Sequence, residues 1–93
     1  MFKELLSKIV NHTELNFQNA DNRDMERSHT TAGAVGAYLD VLRMIGHHVD
    51  NGDWDDYGCL RVGFIQINNV VIVRNSKIDY DAVQRLMGGK DYE

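Results

Sequence analysis

The sequence predicts a small α+β domain in the order helix, helix, strand, strand, helix, with a long central helix packed on an antiparallel β-hairpin. Three observations carry that expectation. From Ser28 to Asp50, the residues Ala32, Val35, Leu39, Leu42, Gly46 and Val49 recur at alternating steps of three and four, the period of one buried helical face. From Leu60 to Arg74, two runs rich in β-branched residues flank Asn68-Asn69, a pair that tolerates the positive φ of a tight hairpin turn. Finally, 93 residues with 43% hydrophobic and 26% charged content leave room for one core, so residues 1–93 are expected to form a single compact domain.

Taken in order, Phe2, Leu5, Leu6, Ile9 and Val10 describe a short amphipathic helix from Met1 to about Val10. Asn11 to Asp24 is rich in Asn, Asp and Gln, whose side chains compete with the helix for backbone groups. A connection is expected there, with Leu15 and Phe17 turned inward as anchors or as a short edge strand. Asp21 or Asn22 is read as an early cap of the central helix, with Asp24 and Glu26 near the positive end of its dipole.

Within the central helix, Ala32, Gly33, Ala34, Gly36 and Ala37 carry almost no side-chain bulk, so another backbone is expected to approach closely there. The helix is expected to stop near Val49 to Gly52, where Asp50-Asn51-Gly52-Asp53 is turn chemistry, with a loop following through Trp54 to Gly58. In the hairpin, Ile67 should face Val70, Ile65 face Ile72 and Gly63 face Arg74, with Phe64, Gln66, Val71 and Val73 on the other side. Both sides are apolar, which calls for a further strand or a second subunit, and a homodimer is expected. The last helix carries its own start and stop signals: Asp79 as cap, Ile78 and Val83 spaced as a hydrophobic staple, and Gly88-Gly89 as terminator, with residues 90–93 beyond it as a frayed tail.

Composition narrows the function classes. A net charge of −4, with basic residues scattered singly, disfavours direct binding to a nucleic-acid backbone. One cysteine, Cys59, cannot form an internal disulfide and fits a reducing, cytoplasmic setting. No apolar run approaches the roughly 20 residues that span a bilayer.

No motif points to a cofactor or to catalysis, and none is expected. His47, His48, Asp50, Asp53, Asp55 and Asp56 are candidate metal donors, but their spacing matches no standard site, and histidines at a helix end followed by solvated acids are the more ordinary arrangement. Cys59 with His47 or His48 has the residue types of a nucleophile and its base, although a cysteine in an apolar run is more often packed away.

Two binding readings remain. The first is a small intracellular protein that acts by protein–protein interaction, as an inhibitor or a phage-type accessory antagonist does, an analogy from composition alone. Its partner-facing patch is Asp53, Trp54, Asp55, Asp56 and Tyr57, where aromatic anchors sit among charges complementary to a basic surface. The alternative is a small-ligand protein that takes a phosphate or nucleotide at a subunit interface. It would use His29, Thr30, Thr31 and Gly33 at a helix start, together with Arg61 and Arg74 on one strand face over the gap left by Gly63. Internal pairing of those arginines with Asp79, Asp81 or Glu93 is the simpler expectation.

Overall fold

The computed structural model describes residues 1–56 and 58–88. It is an α+β fold in which a helical hairpin packs on one face of a four-stranded antiparallel sheet, in the element order α-α-β-β-β-β-α.

Helix α1 (Phe2–Asp21) does not stop at Val10. Its buried stripe continues in phase through Thr13, Asn16 and Ala20, and two of those three positions are polar, which is why the apolar pattern seemed to end. Both polar side chains are fully buried and hydrogen-bonded. Thr13 Oγ1 donates to the Ile9 carbonyl at 2.7 Å, four residues back, while Asn16 reaches across to other elements. The expected connection over residues 11–24 is therefore helix for most of its length. Leu15 lies outward, 45% exposed, and Phe17 is half-buried.

The turn into α2 (Met25–Met44) uses a non-glycine residue in the left-handed region. Arg23 has φ 59°, its N–H reaches the Ala20 carbonyl at 3.0 Å, and the Asp24 N–H reaches the Asn19 carbonyl at 2.9 Å. This pair of bonds closes a helix end of the Schellman type. Asp24, rather than Asp21 or Asn22, caps α2 by accepting from the Arg27 N–H at 3.1 Å. The helix buries Ser28, Ala32, Val35, Leu39 and Leu42, so the predicted stripe holds over its central part.

Its end differs. Gly46, at φ 101°, takes the left-handed position that closes the helix, with Gly46 N–H bonding to Arg43 O and His47 N–H to Leu42 O. Val49 is buried as expected, but as the first residue of a strand.

That strand, β1 (Val49–Asp56), occupies the segment expected to be turn and loop. It pairs with β2 (Cys59–Ile67), which pairs with β3 (Val70–Arg74) and then with β4 (Lys77–Ile78), giving the meander β1-β2-β3-β4. Asn68 and Asn69, at φ 50° and 69°, make the predicted tight turn, and Asn75 and Ser76, at 54° and 61°, make a second one.

The predicted register holds for Ile67 opposite Val70 and Gln66 opposite Val71 and then breaks. Ile72 is an extra residue, so Val73 faces Ile65 and Arg74 faces Phe64, in place of the expected Ile65–Ile72 and Gly63–Arg74 pairs. The bulge lets both Ile72 and Val73 leave solvent, at 0% and 1% exposure. The outer face of the central strands thereby loses Val73 and retains Phe64, Gln66 and Val71, all half-buried.

Helix α3 (Tyr80–Leu86) begins where predicted, with the Asp79 carboxylate accepting from Ala82 N–H at 3.0 Å, and ends at Gly88, φ 74°. One core joins all three helices and the sheet through Leu6, Ile9, Leu39, Leu42, Ile65, Ile67, Ile72 and Val83.

Past Phe64, toward Cys59, β2 runs beyond the reach of β3, and α1 takes the place of the missing strand. Asn16 Oδ1 accepts from Val62 N–H at 2.9 Å, its Nδ2 lies 3.3 Å from the Leu60 carbonyl, and Ser28 Oγ donates to that same carbonyl. A buried strand edge is thus satisfied by two helical side chains, as buried backbone groups require.

Candidate functional site

Strand β1 is an edge strand: β2 covers one side of it, and no described strand pairs with the other. It carries Asp50, Asp53, Asp55 and Asp56, four of the chain's fourteen acidic residues within eight positions. Side chains with this little β propensity do not form a strand by themselves. Here β2 supplies the template, matching Val49 to Ile67 at one end and Asp56 to Cys59 at the other.

A second bulge shapes the site. Gly52 faces Phe64 and Asp53 faces Val62, which leaves Gly63 as an extra residue on β2. Trp54 packs on that glycine so closely that a Cβ at position 63 would stand 2.9 Å from Trp54 Cβ, inside any normal contact. The gap expected at Gly63 therefore exists and is filled by Trp54. Trp54 as a residue remains 49% exposed, with its side chain against the Gly63 backbone.

Opposite Trp54 stands Arg61, whose guanidinium pairs with Asp21 at the end of α1 and lies 6.0 Å from the centroid of the Phe17 ring. That contact ties the far half of the β1–β2 ribbon to α1. Asp53 and Asp55 are exposed and have no ion-pair partner among the described residues, whereas Asp50 lies 3.6 Å from His48 Nε2. Of the expected patch, Asp53, Trp54, Asp55 and Asp56 share β1, while Tyr57 lies outside the described residues.

The alternative ligand set is dispersed. Because α2 starts at Met25, His29, Thr30, Thr31 and Gly33 sit in its second and third turns, where backbone amides are already bonded within the helix. Thr30 and Thr31 do not cap; their hydroxyls donate to the Glu26 and Arg27 carbonyls four residues back. Both line a shallow cleft between α1 and α2 with Leu15, Asn19, Glu26 and Arg27. Among the described residues nothing approaches Gly33 or Gly36 within 4 Å of an added Cβ, so the expected close packing against these two glycines does not occur among them.

Arg61 and Arg74 serve different neighbours. Arg61 pairs with Asp21 and with neither Asp79 nor Asp81, Glu93 lies outside the described residues, and the bulge at Ile72 sets Arg74 opposite Phe64 instead of Gly63. Arg74 joins Lys77 and Arg85 around a separate cleft.

The histidines lie at the other end of the ribbon. His47 Nδ1 is 3.0 Å from Asn68 Nδ2 and its ring meets Phe2 at 4.5 Å, while the His48 backbone exchanges bonds with Asn68, tying the β2–β3 turn to the start of β1. Cys59 is buried at the opposite end of β2, eight residues from Ile67, or about 26 Å at ~3.3 Å per residue. A cysteine–histidine pair is excluded by that separation. Extension of the acidic segment as a strand spreads its carboxylates, and no three His, Cys, Asp or Glu side chains among the described residues stand close enough to share a metal ion. No described helix is long and apolar enough to cross a membrane.

No protein-family model, curated protein or solved structure matches the chain.

Proposed function

We propose that the protein is a binding module whose partner lays a basic extended segment along the open side of β1, with Trp54 as the anchor. The observation that carries this reading is the seat of Trp54. A large aromatic ring held on Gly63 loses little conformational freedom on binding, and it borders a strand edge on which Asp53 and Asp55 have no ion-pair partner among the described residues. Main-chain bonds to the open edge would supply affinity, and Asp53 and Asp55 would select a positively charged strand over others. Such a surface suits a protein that acts by occupying another, as an inhibitor or accessory antagonist does.

The same acids disfavour pairing of β1 with β1 of a second copy, since an antiparallel partner would set carboxylate against carboxylate. A second copy would also have less apolar surface to cover than the hairpin alone presents, because Val73 turns into the core and the outer face of β2 and β3 keeps Phe64, Gln66 and Val71.

The test is quantitative binding of a partner recovered by affinity purification. Trp54→Ala should weaken it by about 2 kcal/mol or more, roughly thirtyfold, with unchanged circular dichroism. Asp53→Asn with Asp55→Asn should slow association and flatten its salt dependence. Unchanged affinity in a folded Trp54→Ala variant removes β1 as the docking strand.

A further inference from the structure

A second site lies at the opposite side of the sheet from β1. Where β3 and β4 meet the start of α3, a cleft of about 490 Å³ is lined by Val71, Ile72 and Ile78 and bordered by Arg74, Lys77 and Arg85. Its volume lies within the range of small-molecule sites.

The charge there runs against the rest of the chain. In a protein of net charge −4, three of ten basic residues converge on this one cleft. Arg27, Arg43 and Arg61 each sit on an aspartate, while Arg74, Lys77 and Arg85 make no ion pair among the described residues. Among the described residues the one carboxylate lining the cleft, Asp79, is engaged by the Ala82 N–H as the cap of α3. Placement in the last turn of α3 accounts for Arg85 through the helix dipole. It does not account for Arg74 and Lys77, which face each other across the Asn75-Ser76 turn with like charges that repel. Holding three cations together is unfavourable unless an anion joins them.

We infer that this cleft binds a small phosphate-bearing molecule, its phosphate among Arg74, Lys77 and Arg85 and its less polar body against Val71 and Ile78. A phosphate monoester presents three terminal oxygens, one for each cation, and two negative charges, where a carboxylate presents two oxygens and one charge. Two guanidinium forks with one ammonium also provide both directional and point-charge recognition of phosphate oxygens. The site is independent of the β1 surface, with which it shares no residue.

The test is titration of isotope-labelled protein, followed by backbone amide shifts, with inorganic phosphate, pyrophosphate, adenosine monophosphate and succinate. Pyrophosphate and the nucleotide should move the amides of Val71, Ile72, Lys77 and Ile78, and the nucleotide should bind more tightly than phosphate alone. Arg74→Gln, Lys77→Gln and Arg85→Gln should each weaken binding at least about tenfold, the worth of one charge-assisted bond. All three side chains are exposed, so these variants should keep the far-ultraviolet dichroism of the parent. The inference is overturned by an absence of shifts at about 10 mM ligand, far above a millimolar dissociation constant. Shifts centred on His29 to Gly33, or succinate binding as tightly as the nucleotide, overturn it equally.

Discussion

Replacing Asn16 should damage the fold out of proportion to the size of one side chain. Asn16 is fully buried, its Oδ1 accepts from Val62 N–H at 2.9 Å, and its Nδ2 lies 2.9 Å from Ser28 O, 3.2 Å from Thr31 Oγ1 and 3.3 Å from Leu60 O. In Asn16→Leu, which keeps the bulk, Leu60 O retains Ser28 Oγ, and Ser28 O retains its helical partner. Val62 N–H is left with nothing, at a cost of about 1 to 3 kcal/mol for a buried orphan donor, and the lost amide donors add roughly 1 kcal/mol. Asn16→Ala adds a cavity to the same loss and should cost about 1 kcal/mol more. The expected destabilisation is therefore ~3 kcal/mol for Leu and ~4 kcal/mol for Ala, a large part of the stability typical of so small a domain. Urea unfolding followed by circular dichroism measures both, with the midpoint falling and the slope unchanged. A loss below about 1 kcal/mol in Asn16→Leu would refute the view that this amide stands in for a strand.

Three further outcomes follow from local geometry. Ser76 combines φ 61° with a buried hydroxyl that has no hydrogen-bond partner among the described residues, so Ser76→Gly should stabilise the protein by about 1 kcal/mol in the same unfolding assay. Tyr80 donates its hydroxyl to Glu14, whose carboxylate holds the phenol above its ordinary range. The protonated form is the one favoured by folding, so this small contribution is present below about pH 10 and lost as pH rises above it; ultraviolet titration should show Tyr80 ionising late, and Glu14→Leu, which removes the acceptor, should bring the midpoint down. Light scattering at micromolar concentration should give a monomer mass, because the sheet is extended within one chain and the acids of β1 oppose edge pairing; a dimer would show that the outer face of Phe64, Gln66 and Val71 is a self-interface.

The helix stripe from Ala32 to Leu42, the Asn68-Asn69 turn and the Asp79 cap were legible because each rests on chemistry confined to a few neighbouring residues. The errors lie where a residue obeys a tertiary demand. Thr13 and Asn16 keep the phase of α1 while breaking its apolar pattern, since one bonds within its own helix and the other answers a strand edge more than forty residues away. Arg23 ends a helix in a conformation usually left to glycine. The bulge at Ile72 follows from the burial of two consecutive side chains, which an alternating pattern does not foresee.

The candidate site was legible in position but not in kind, and one glycine accounts for the difference. Gly46 falls on the apolar stripe of α2 and so reads as part of it, while Asn51-Gly52 reads as the stop; in fact Gly46 closes the helix and Gly52 lies within a strand. With the helix ended at Met44, the acidic segment has length enough to run back along β2, and the backbone of β2 organises residues that would otherwise form a loop. The change alters what the acids can do. On a loop they would make a diffuse negative patch, whereas along an edge strand they alternate with an open row of backbone donors and acceptors. That row fits any strand, and in the proposed reading the carboxylates would choose among strands: they repel a second copy of β1 and would favour a basic segment, so the features that oppose self-pairing of the edge would also select its partner.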